Sequence, residues 1–248
     1  FRDLTPFERM DEQDRLRDRL AALGQMAAGL AHAIRNPLAT MEVLAGLLKR
    51  QLGDRPEERF LVEDLMGELR GLAGTVTASL EFVRPVSISR APCDPKVVLE
   101  ESLGLARARV AFSGAIERDY ADPLPRLAAD ADELRAALTD LLVNALEAMD
   151  ESESRDGHRL LLQLHVEAAG DETRELEIRI SDTGPGVPEE LRERIFYPFF
   201  NTKGRGSGVC LANAQKVILS HGGSVAVESG PGDGSIFCVW LPIDERAS

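Results

Sequence analysis

His32 is one of four histidines, and its surroundings are unusual. In the segment LAHAIRNPLAT, Leu30 to Thr40, Asn36 follows it by four residues and Pro37 by five. A spacing of four places the imidazole and the amide on one helix face. Pro37 lacks the N–H that would bond the carbonyl of Ala33, at a cost of roughly 3 kcal/mol in a helix interior. The sequence therefore places a bend one turn beyond the histidine. An exposed imidazole can serve as acid, base, metal ligand or nucleophile. No histidine or carboxylate stands at i+3 or i+4, which argues against a metal site. No serine or cysteine partner for a hydrolytic triad is evident. A phosphoryl acceptor needs only a free ring nitrogen and room for a donor, so that reading requires a nucleotide site elsewhere in the chain.

Four patches of the C-terminal half meet the requirement together, although each alone has a plain structural reading. Asp140, Asn144 and Glu147 are spaced by four and three, on one polar stripe of a helix. Oxygen donors there suit Mg²⁺, which usually shares its shell with nucleotide phosphates; a solvated helix face would look the same. Asp182-Thr-Gly184-Pro-Gly186 follows a strand and offers a carboxylate for an amine, with glycines that let backbone approach a ligand. Ile195-Phe-Tyr-Pro-Phe-Phe200-Asn-Thr202-Lys203 crowds aromatic residues into an irregular stretch, with a cation for phosphate at its end. Gly204-Arg205-Gly206-Ser207-Gly208 opens a helix expected over Ser207–Ser220, where free N–H groups and the dipole favour an anion. It is neither a P-loop nor a dinucleotide fingerprint.

These residues need elements to hold them. Leu23, Ala27, Leu30, Ile34, Pro37, Met41, Leu44 and Leu48 recur at alternating steps of four and three, a heptad seam. His32 falls at the outermost heptad position. Gly53, Asp54 and Pro56 mark a turn, and Val62, Met66, Leu69, Ala73, Val76, Leu80 and Val83 form a second seam ending at Arg84-Pro85. Two helices with one seam each cannot close a large core, so a helical hairpin that pairs with another copy into a four-helix bundle is expected. Residues 85–95 are rich in Pro and Ser and read as a linker and hinge. Beyond them the texture is mixed: helices over Lys96–Arg109 and Asp132–Met149, and strands over Ala115–Tyr120, Arg126–Ala129, Leu160–Ala168, Glu175–Ser181, Ser224–Glu228 and Ile236–Leu241. The fold class is α plus α/β, the second part being a sandwich of an antiparallel or mixed sheet with helices on one face.

Composition narrows the function. The 42 acidic and 29 basic residues give a formal charge of −13, which disfavours a nucleic-acid partner. Cys93, Cys210 and Cys238 are scattered without metal spacing, as in a reducing cytoplasm. No apolar run approaches the ~18 residues of a membrane span. The chain starts with Phe, so a fragment that a membrane segment could precede is the expectation.

In their order, the four patches resemble the N, G1, F and G2 boxes of sensor histidine kinases, with the Bergerat-type ATPase fold shared with gyrase, Hsp90 and MutL proteins. His32-Ala-Ile-Arg-Asn36-Pro37 resembles their H box. Phe199-Phe-Asn-Thr202-Lys203, the short stretch to Gly206-Ser-Gly208, His221-Gly-Gly and Leu80-Glu-Phe-Val-Arg84-Pro85 resemble the nitrogen-regulation subgroup. Phe1-Arg-Asp-Leu-Thr5 resembles the end of a PAS sensor domain. The resemblance implies a sensor tail over 1–10, a dimerisation and phosphotransfer domain over 11–88 and an ATP-binding domain over 92–243. It implies that His32 accepts the γ-phosphoryl group of ATP and passes it to an aspartate on the receiver domain of a response regulator. Asn36 orients water for the reverse task. On the same resemblance Asn144 would hold Mg²⁺, Asp182 would bind the adenine amine, and Gly184, Gly186, Gly206 and Gly208 would shape the pocket. Thr202 and Lys203 lie near the phosphates, and Asp140, Glu147, Arg205 and Ser207 complete the nucleotide site.

Three positions depart from the family pattern. Ala33 stands where the family has Glu or Asp, a group whose general-base help is typically worth ~10²–10⁴-fold. This leaves a second reading open, a kinase-weak phosphatase or regulator-binding module. Asp140 replaces an asparagine and raises a third, an ATPase without phosphotransfer. Cys210 replaces a glycine and is expected to pack beneath the lid.

Overall fold

The computed structural model describes residue 34 and residues 36–52, 55–83, 86–150, 157–168, 174–200, 208–230 and 232–243. They fall into two compact units, one ending at Pro85 and the other starting at Val86. Among the described residues no helix is long and apolar enough to cross a membrane.

The first unit is a helical hairpin. Helix α1 spans 36–51 and α2 spans Pro56–Val83. Pro56 does not simply break a helix. It occupies the first position of α2, where its missing N–H costs nothing, and Glu57 and Glu58 suit the positive end of the dipole. The hairpin buries Ala45, Val62 and Leu69, with Leu38, Leu52 and Met66 packed around them. The second seam is thus used as expected over Val62, Met66 and Leu69, Leu80 and Val83 lying outside the described side chains, but the first is not. On α1 the inward residues are Leu38, Ala45 and Leu52, one position past the heptad seam. The seam residues Met41, Leu44 and Leu48 stay 51%, 59% and 46% exposed. On α2, Leu61, Leu65 and Leu72 form another exposed row. A helix in a four-helix bundle needs a stripe wide enough for two neighbours, and the hairpin supplies one. Lys49–Glu63 at 2.7 Å and Arg70–Glu42 at 3.1 Å link the two helices at the surface, where such pairs add little.

The second unit is a two-layer α/β sandwich. Its five-stranded sheet has the order β2 (Ala115–Tyr120), β4 (Arg159–Ala168), β5 (Arg174–Asp182), β7 (Ser235–Pro242), β6 (Ser224–Ser229). Only β2 and β4 run parallel, so the sheet is mixed. Leu160, Leu162, Leu164, Leu176, Ile178, Ile180, Phe237, Val239 and Leu241 alternate along three strands and face one layer of helices. These are α3 (Pro95–Arg109), α4 (Ala131–Asp150) and α5 (Cys210–Ser220). On the opposite face Glu177 is buried beside Arg179 at 3.4 Å, and burial pushes its carboxyl above the usual carboxylate range.

The expected linker over 85–95 is corrected. Ala91–Cys93 forms strand β1, paired antiparallel with β3 (Leu127–Ala129), and Pro95 starts α3 behind its N-cap Asp94. Backbone pairing of Ala91 with Ala129, 38 residues away, and of Cys93 with Leu127, 34 away, is invisible in a Pro- and Ser-rich local composition.

Candidate active site

Helix α4 is the platform. Leu134, Ala137, Leu138, Leu141, Leu142, Ala145 and Leu146 bury one side of it. The same helical period sets Asp140 and Asn144, both half-buried, and Glu147, exposed, along another side. The Asp140 carboxylate lies 3.6 Å from the guanidinium of Arg109 at the end of α3.

The end of β5 comes up against this helix. Asp182 is buried, and its Oδ1 accepts the Gly184 N–H at 2.8 Å, folding the chain into a tight turn. A Cβ on Gly184 would stand 2.8 Å from that oxygen and 3.3 Å from the backbone carbon and Cβ of Ala148. Glycine is therefore required for the turn to lie on α4. Thr183 secures the arrangement: its hydroxyl accepts the Arg159 N–H at 3.0 Å and donates to the Met149 sulfur at 3.7 Å. Gly186 backs onto Gly230 and Gly234, and the neighbouring Val187 N–H donates to the Ser229 hydroxyl at 2.7 Å.

The aromatic stretch forms the next wall. Phe196 is buried with its ring edge-on to Phe237, centroids 6.4 Å apart. The Arg194 guanidinium covers the Phe200 ring at 4.8 Å. The Phe199 N–H donates to the Gly208 carbonyl at 2.9 Å, so the chain leaving Phe200 and the chain returning at Gly208 are joined. Gly208 has φ +65°, and a Cβ there would meet the Phe199 and Phe200 backbone at 2.8 Å. That conformation cannot begin a helix. Helix α5 accordingly starts at Cys210, not at Ser207 as expected. Cys210 is exposed rather than packed away. Partial burial raises its thiol above the usual range, and so do the charges of Asp140 and Glu147.

The Asp182–Gly184 turn thus meets the helix that carries Asp140, Asn144 and Glu147, and the charges of Asp140 and Glu147 act on Cys210 at the start of α5; Gly186 lies against Gly230 and Gly234, and Gly208 against Phe199 and Phe200. Thr202, Lys203, Arg205, Gly206 and Ser207 lie outside the described residues, as do His32 and Ala33. Asn36 stands exposed on α1, its carbonyl accepting the Thr40 hydroxyl at 3.0 Å. Sequence reasoning passed over Arg109, Thr183 and the close approach at Ala148. Only the glycine at 184 hinted at the last. Chemically, the group offers hard oxygen donors on α4 and a buried carboxylate at the turn, which fit a magnesium–phosphate unit and an amine respectively. Among the described residues no three His, Cys, Asp or Glu side chains cluster as a metal site.

Two family models match the chain. Residues 129–245 match the histidine kinase-, DNA gyrase B- and HSP90-like ATPase, and residues 22–87 match the His Kinase A phospho-acceptor domain. This chain belongs to the sensor histidine kinase family. The sensor histidine kinase ZraS of Klebsiella oxytoca is 34% identical over 239 residues, covering 96% of this chain and 50% of ZraS. Full-length ShkA, solved in complex with AMPPNP, is 29% identical with a TM-score of 0.67, covering 88% of this chain and 45% of ShkA. The mycobacterial sensor histidine kinase MprB is 28% identical with a TM-score of 0.51, over 62% of this chain and 97% of that structure. The chain thus spans half or less of the full-length relatives it matches. The ATPase match begins at Ala129, the last residue of β3.

Proposed function

We propose that this chain is the phosphotransfer core of a two-component kinase. ATP binds where α4, the Asp182–Gly186 turn and the start of α5 meet. Its γ-phosphoryl group goes to His32: a ring nitrogen forms the P–N bond as the P–O bond to ADP breaks, and the ring proton leaves to solvent. The group then passes to an aspartate of a response regulator's receiver domain. The observation that carries this reading is the Gly184–Ala148 approach, which holds the buried Asp182 carboxylate beside the oxygen-bearing stripe of α4. Asp182 would take the adenine amine. Asn144 would hold Mg²⁺, whose charge would offset that of the phosphates. Thr202, Lys203, Arg205, Gly206 and Ser207 would enclose the phosphates. Phosphoryl transfer asks mainly for positioning and charge stabilisation, which such a site provides.

The helical hairpin would supply the acceptor and the dimer. Its exposed rows at Met41, Leu44 and Leu48 and at Leu61, Leu65 and Leu72 are what a second copy would cover. The receiver domain would dock near His32, with Asn36 orienting water for the reverse reaction. A sensor domain would precede residue 11 in the same polypeptide.

Incubation with γ-labelled ATP and Mg²⁺ tests this. Acid-labile, base-stable label is expected on the chain and lost in His32→Gln. Label that persists in His32→Gln contradicts the assignment. Ala33→Glu serves as a third arm: label confined to it identifies a switched-off kinase site, and the chain is then a phosphatase or regulator-docking module.

A further inference from the structure

The segment after the hairpin is tied down at once. Val86 packs on the hydrophobic core of the second unit. The Ser89 N–H donates to Asp130 Oδ2 at 2.9 Å, the Arg90 guanidinium reaches the Ser220 carbonyl at 3.4 Å, and Ala91 enters β1. Asp130 has two tasks. Its Oδ1 caps α4, accepting the N–H groups of Asp132 and Glu133 at 3.2 Å, while Oδ2 holds Ser89. The Ser89 N–H contributes most to keeping its carboxyl below the usual range. Asp130 is itself fixed by buried His221. The His221 Nε2 accepts the Asp130 N–H at 3.0 Å, which leaves Nδ1 to donate to the Val217 carbonyl at 2.8 Å. The α4 start and the entering chain meet at this one carboxylate, and the α5 end holds the same residue by its backbone N–H.

We propose that Asp130, held by His221, straps residues 86–90 onto the ATP-binding unit and so sets the length of free tether between ATP site and phosphoacceptor helix. With the strap closed, only Arg84 and Pro85 separate the end of α2 from the second unit. With it open, the tether runs from Arg84 to Arg90, seven residues. Asp130, His221 and Ser89 are positioning residues, remote from the reacting atoms. Once a tether can span its sites, effective concentration falls roughly as the −3/2 power of its length; with two residues sufficing for transfer, release to seven lowers the rate of transfer to His32 about sixfold. The proposal rests on the kinase reading, and the test separates the two.

Two variants break the same bond from opposite ends. Ser89→Pro removes the donor, and Asp130→Ser keeps a helix cap but is too short to reach Ser89. Three quantities are read in an Ala33→Glu background and in the unaltered chain: hydrogen exchange of amides 86–90, ATP affinity, and the single-turnover autophosphorylation rate at saturating ATP. Both variants should exchange faster at 86–90, bind ATP unchanged and phosphorylate about sixfold more slowly. An unchanged rate with faster exchange overturns the proposal, as does exchange already unprotected in the parent. If no background labels, the kinase reading fails on its own. The strap is then decided by spin-label distances between the units, whose distribution must broaden in both variants; an unbroadened distribution overturns it.

Discussion

The helical hairpin and the ATP-binding unit solve opposite problems. In the ATP-binding unit each apolar strand face finds a helix: Leu162, Ile178 and Val239 are wholly buried, as are Leu138, Leu142 and Ile218 across from them. Among the described residues of the hairpin three are buried, and a longer set of leucines stays in solvent. One region is finished within a single chain. The other leaves apolar rows open on its described residues. On the proposed function the division follows the chemistry: a nucleotide site needs a closed, fixed pocket, whereas a phosphoacceptor must stand at a surface that a donor and a receiver can both reach.

The sharpest way to break the comparison is to charge the open seam. Leu44→Glu with Leu65→Glu should convert the dimer to monomer, raising its dissociation constant by at least ~10³-fold, since each leucine loses roughly 2 kcal/mol of burial and places a charge at the interface. Sedimentation across a dilution series measures this, with ATP affinity expected to be unchanged. A dimer that persists would show that the seam is covered by something other than a second copy. Next in size is Leu142→Ala, which should cost about 2–5 kcal/mol in the ATP-binding unit alone. Calorimetry should then show one thermal transition lowered and the hairpin transition in place.

The smallest effect sharpens the same contrast through pH. The folded carboxyl of Glu177 is raised by burial above its ordinary 4.5. A group raised in the folded state contributes stability below its unfolded pKa and loses it as pH rises through the folded value. Glu177→Gln should therefore raise the melting temperature of the ATP-binding unit slightly at neutral pH, with the advantage vanishing below about pH 4.5. A difference independent of pH would assign the effect to packing instead.

Much of this was legible in the sequence because the signals were local. The 3.6-residue repeat of Leu134, Leu138, Leu141 and Ala145 reports α4, and alternation reports the strands of the sheet. The nucleotide patches followed from residue types at fixed offsets. What escaped depended on partners distant in the chain. Strand β1 exists because Ala91–Cys93 pairs with β3, against the local tendency of Pro92. The inward stripe of α1 is set by which side α2 takes, and both stripes are apolar enough to serve. The Arg109–Asp140 pair and the Asp130–His221 bond, across 31 and 91 positions, leave no local trace.

On the proposed function the ATP site is assembled within the second unit, by the turn at Gly184 lying on α4. Calorimetric titration of residues 86–243 with ATP and Mg²⁺, beside the whole chain and its Gly184→Ala variant, tests it most directly. The account expects the isolated unit to bind ATP as the whole chain does, and Gly184→Ala to bind at least ~10-fold more weakly because its added methyl pushes Asp182 from its place. An isolated unit that fails to bind while folded, or a Gly184→Ala chain that binds unchanged, would contradict it.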